Sequence, residues 1–68
     1  MRVNVTDCWA GGNKWKWALE WEQDGRYMRE CIYHKEGQDW NRKTAGAAKD
    51  IISDATGCAR SSIRFDVR

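Results

Sequence analysis

From Lys14 to Glu22 the chain alternates with a period of two: Trp15, Trp17, Leu19 and Trp21 fall on one side, Lys14, Lys16, Glu20 and Glu22 on the other. Successive side chains of a strand point to opposite faces, so this pattern predicts a strand with one face buried and one in water. Asp24-Gly25 follows, a pair favoured in two-residue hairpin turns that need positive φ at both central residues. Arg26 to Lys35 is then expected to return as the next strand. A two-residue loop sets Trp21 opposite Met28, Trp17 opposite Ile32 and Glu20 opposite Arg29, matching apolar with apolar and acid with base. It also leaves Glu30 and His34 on the Trp face. A three-residue loop with a bulge would put Tyr27, Cys31 and Tyr33 there instead. The first register is preferred for its pairings.

Upstream, Val3, Val5 and Trp9 alternate with Asn4, Thr6 and Cys8, which predicts a first strand, and Ala10-Gly11-Gly12-Asn13 reads as the turn after it. Glu36-Gly37-Gln38 breaks the strand pattern. Trp40, Thr44, Ala47, Ala48, Ile51, Ile52 and Ala55 then recur at helical spacing, with Arg42, Lys49, Asp50, Ser53 and Asp54 on the opposite side. Asp39, Asn41 and Thr44 are each suited to cap the start, and Gly57 to end the helix. Ile63, Phe65 and Val67 alternate with Ser62, Arg64 and Asp66 as a last strand. The expected fold is α+β in the order β-β-β-α-β. One small domain spans residues 1–68, a mainly antiparallel sheet of three to four strands with one helix packed on one face. Its expected core is Val3, Val5, Trp15, Trp17, Leu19, Trp21, Ile32, Trp40, Ala47, Ala48, Ile51, Ala55, Ile63, Phe65 and Val67.

Sixty-eight residues stand near the lower limit for a domain held by a single hydrophobic core. Five Trp, two Tyr and one Phe meet that difficulty, since an aromatic buries more apolar surface per ordered residue than an aliphatic. The net charge is only +2, from twelve basic and ten acidic residues, which argues against a dedicated phosphate binder. Three widely spaced cysteines, Cys8, Cys31 and Cys58, read as reduced thiols, so a cytoplasmic location is expected. No leader-like apolar region and no membrane-length run occur, and the chain reads as a complete small gene product.

No constellation for catalysis emerges. Cys31 and His34 have a C-x₂-H spacing, but residues three apart in a strand point to opposite faces and do not converge on one zinc ion. His34 is the only imidazole, and no motif sets a nucleophile beside it. Glu20 and Glu22 have Arg29 and Lys16 as ready ion-pair partners. Gly11-Gly12 joins two strands and precedes no helix, so it is no phosphate loop. The expectation is a non-enzymatic protein without metal or cofactor.

Two kinds of binding remain. In the preferred register the outward sheet face carries Lys14, Lys16, Tyr27, Arg29, Tyr33 and Lys35, cations and aromatics able to contact phosphates and stack bases. The element order is loosely similar to that of plant AP2-type and integrase arm-binding domains, without a shared motif. Glu20 and Glu22 on the same face weigh against a polyanion. Protein binding is the favoured reading. Trp9, with Gly11 and Gly12, has no obvious place inside, and a Trp beside a flexible turn can anchor an interface, or else cover the open end of the core. An edge strand could also pair with a partner or with a second copy of the chain. The chain is therefore expected to act stoichiometrically on a protein, as accessory or inhibitor proteins of phages and mobile elements do. A small DNA- or RNA-binding domain is the alternative.

Overall fold

The Asp24-Gly25 turn fixes the register of the sheet. In the computed structural model, which describes residues 1–68, Asp24 has φ 52° and Gly25 φ 78°, the left-handed pair that a two-residue hairpin requires. Strand β2 (Lys14–Gln23) therefore pairs antiparallel with β3 (Arg26–Lys35), and Trp21 faces Met28, Trp17 faces Ile32 and Glu20 faces Arg29. The bulged alternative does not form. Strand β1 (Arg2–Gly11) lies antiparallel on the other side of β2, with Val5 opposite Leu19 and Asp7 opposite Trp17. The chain returns to the far side of β1 as β4 (Arg64–Val67), parallel to it, giving a mixed four-stranded sheet in the order β3-β2-β1-β4.

Between β3 and β4 runs helix α1 (Arg42–Thr56). Asn41 caps it: its side-chain oxygen accepts from the Thr44 backbone N–H at 3.0 Å, satisfying one of the unpaired donors of the first turn. Gly57 ends it at φ 76°, donating its N–H to the Ser53 carbonyl at 2.8 Å. A short 3₁₀ turn, Arg60–Ser62, then leads into β4. Arg60 folds back onto the helix, donating to the Gly46 carbonyl and pairing with Asp50.

The core lies between the helix and the Trp face of the sheet. Val3, Val5, Trp17, Leu19, Trp21, Ala48, Ile52 and Ile63 are buried, and Met1, Met28, Ile32, Trp40 and Phe65 pack around them. Trp40 bridges the layers edge-on, 5.4 Å from the Trp17 ring and 5.2 Å from Phe65. Three expected core members are exposed: Ala47, Ala55 and Val67. The helix turns Ala48 and Ile52 squarely to the sheet, which rotates Ala47 and Ala55 to the margin of its stripe, and Val67 ends a four-residue edge strand. Trp15 and Ile51 are half-buried. Ala18 is fully buried although it points outward, between Thr6 and Cys31 in the middle of the sheet.

Candidate functional site

The tip of the β1–β2 hairpin departs from regular pairing. Trp9 faces Trp15, but Gly11 rather than Ala10 faces Lys14, so Ala10 is the extra residue of a bulge. Strand β1 thus runs two residues into the expected turn, through Ala10 and Gly11, and only Gly12 and Asn13 close it. Gly11 takes φ 106°, which a side chain would strain. The bulge lets the Trp9 ring fold back over the turn, where Nε1–H donates to the Gly12 carbonyl at 2.9 Å. Trp9 is nevertheless 64% exposed. The indole is held in place without being covered.

Beside Trp9 the sheet has an open edge. Strand β4 matches β1 only from Arg2 to Val5. The Met1 carbonyl accepts from Arg64 N–H and the Val5 carbonyl from Arg68 N–H, so the peptide groups turned to that side belong to odd-numbered residues. Asp7 and Trp9 are next in that series, with no strand alongside.

All six outward residues singled out from the sequence do lie on the sheet face away from the helix, in two groups. Lys14 pairs with Lys35 and Lys16 with Tyr33 at the hairpin-tip end, whereas Tyr27 and Arg29 lie toward the other end, opposite Glu22 and Glu20. The Tyr27 hydroxyl donates to the Glu20 carboxylate. The one Lys or Arg that meets a carboxylate is Arg60, on Asp50, so neither Glu20 nor Glu22 is neutralised by a neighbouring cation. Signs are interleaved around Glu20 and Glu22 and uniformly basic around Tyr33.

A feature not anticipated from the sequence lies on the helix side. The His34 ring stacks on Trp17 at 4.3 Å and 21°, and its side chain is 2% exposed. Its Nε2 lies 2.8 Å from Asp7 Oδ1 and its Nδ1 2.7 Å from the Lys35 carbonyl. Both partners present acceptor oxygens to the ring nitrogens. The pair ties β1 to β3 across the face of β2. Its signal was present in the sequence: Asp7 and His34 are polar residues at positions where alternation calls for apolar ones. Their meeting depends on the register of three strands.

The cysteines are dispersed. Cys8 and Cys31 lie on the outward face and Cys58 follows the helix, all as free thiols, and no three His, Cys, Asp or Glu side chains gather closely enough to hold a metal ion. No helix is long and apolar enough to cross a membrane. The chain matches no family model, no curated protein and no solved structure.

Proposed function

We propose that this domain is a stoichiometric binding module that engages a protein partner through the tip of its β1–β2 hairpin. The observation that carries this reading is Trp9, an indole fixed by its own hydrogen bond to Gly12 yet 64% exposed. A rigid exposed Trp loses little conformational freedom on docking and buries a large area, which is why such residues dominate interface energetics. The open backbone of Asp7 and Trp9 beside it offers main-chain hydrogen bonds to an extended segment of the partner. Interleaved charges around Glu20 and Glu22 suit a protein surface better than a polyanion laid across the whole sheet. Stoichiometric action fits an accessory or inhibitor role.

Affinity capture with immobilised wild-type protein and Trp9→Ala tests this. Truncating an anchoring Trp weakens an interface by about 2 kcal/mol or more, roughly 30-fold. The wild type is expected to retain a defined protein at a fixed ratio and the variant to lose it, with folding unchanged because Trp9 lies outside the core. Equal retention by a folded Trp9→Ala would refute the reading.

A further inference from the structure

The fold sorts the charges in a way the balanced composition conceals. Of twelve Lys/Arg and ten Asp/Glu, five and three lie where β3 ends and α1 begins. These are Lys14, Lys16, Lys35, Arg42 and Lys43 against Asp7, Glu36 and Asp39. The remaining seven and seven cancel, so the whole net charge of +2 resides at this one end. Asp7 is occupied by His34, and none of the four lysines has a carboxylate within ion-pairing distance. The first turn of α1 carries no acid either, leaving the positive end of its dipole uncompensated.

Shape follows charge here. A shallow groove lined by Lys14, Tyr33, Lys35 and Gln38 runs on, past Tyr33 and Gln38, into a second lined by Asn41 and Lys43. The two grooves share Tyr33, His34 and Gln38 in their walls, and so adjoin where β3 ends and the chain turns toward the start of the helix. Tyr33 stands at this junction, 68% exposed as a residue and with its hydroxyl in no hydrogen bond with the rest of the chain, unlike Tyr27, whose hydroxyl is taken by Glu20. Lys16 flanks it across the strand pair. Lys35 follows roughly 7 Å along the same face.

We infer that this strip binds single-stranded nucleic acid, with Tyr33 as a stacking platform for one base and Lys14, Lys16, Lys35 and Lys43 contacting the phosphates on either side. A strip one strand wide with a free aromatic face suits unpaired bases, which stack on aromatics whatever their sequence. A duplex hides those faces and would need cations spread over the broader sheet, where Glu20 and Glu22 lie. The strip excludes Tyr27 and Arg29. It also leaves out Trp9, which projects from the other side of the sheet, so the inference is independent of the protein contact proposed above.

The test is fluorescence anisotropy of a labelled twelve-nucleotide oligo(dT) and oligo(U), with a duplex of equal length and poly-glutamate as comparisons. Wild type is expected to bind the single strands at low salt. The affinity should fall with salt at a log–log slope of about −2 to −3, as about four phosphate contacts imply. Tyr33→Ala should weaken binding about tenfold or more while Tyr33→Phe retains it, since stacking needs the ring and not the hydroxyl. Lys35→Glu with Lys43→Glu should abolish binding. Trp9→Ala and Arg29→Glu should leave it unchanged, which separates this surface both from the protein contact and from the rest of the sheet. No binding at low salt, equal affinity for poly-glutamate, or indifference to Tyr33→Ala in a folded variant would overturn the inference.

Discussion

Replacing Asp7 by alanine removes the only carboxylate that meets the His34 ring. The side chain of His34 is 2% exposed and that of Asp7 38%, so one partner is shut off from water while the other remains partly hydrated. A hydrogen bond to a charged group contributes about 1.5–3 kcal/mol, and solvent screening at Asp7 lowers the expected loss to about 1–2 kcal/mol. For a domain of this length 1 kcal/mol shifts the melting midpoint by roughly 4–8 °C, so Asp7→Ala is expected to melt about 5–15 °C lower. Asp7→Asn keeps a neutral acceptor at the same place and should cost less. His34→Ala should cost more than Asp7→Ala, because it also strips the stacked ring from Trp17, 4.3 Å away. The decisive quantity is the coupling in a double-mutant cycle, measured by urea unfolding followed through Trp fluorescence and far-ultraviolet circular dichroism. A coupling of about 1 kcal/mol or more between Asp7→Ala and His34→Ala is expected. If Asp7→Ala costs the same whether or not His34 is present, the tie between β1 and β3 contributes nothing and the reasoning fails.

Two further substitutions probe the core and the cap. Trp17→Ala should cost about 3–5 kcal/mol, a large part of the roughly 3–10 kcal/mol that a domain of this length possesses, and leave little cooperative unfolding to observe. Trp17→Phe keeps an aromatic ring against His34 and removes a buried Nε1–H that has no hydrogen-bond partner, so it should stay folded with a cost nearer about 1 kcal/mol. A cooperative wild-type-like melt for Trp17→Ala would refute the core assignment. Asn41→Ala deprives the Thr44 N–H and hydroxyl of their shared acceptor, at 3.0 and 3.2 Å, and should cost about 0.5–2 kcal/mol. Asn41→Ser should recover most of that loss, and an unchanged urea midpoint for Asn41→Ala would show the cap to be idle.

Much of this fold follows from local rules acting on short stretches. Alternation over Lys14–Glu22 and Asp24-Gly25 after it predict a hairpin and favour its register, because the bulged alternative would trade Met28 and Ile32 on the Trp face for Tyr27, Cys31 and Tyr33. Asn41 and Gly57 bound the helix for equally local reasons: one supplies an acceptor to free N–H groups, the other tolerates a left-handed backbone. The helix stripe was legible only to within a rotation. Ala47 and Ala48 are equally apolar, and which of them meets the sheet depends on how the helix lies across it.

The candidate sites are where sequence and tertiary structure part. Composition fixes a net charge of +2, but chain order says nothing about Lys14 and Lys35 lining one groove and Lys43 the groove beside it, since these residues are brought together by strand pairing and by the return of the chain into α1. Likewise Asp7 and His34 lie 27 positions apart, and their contact exists only because β1 and β3 flank the same strand with matched registers. The exposure of Trp9 was suggested by its place beside two glycines, but its orientation required the bulge at Ala10. Hydrophobic periodicity determines elements because it acts within a few residues of the chain. Charge clusters and buried polar pairs are decided by distances between elements, and those are set only when the core closes.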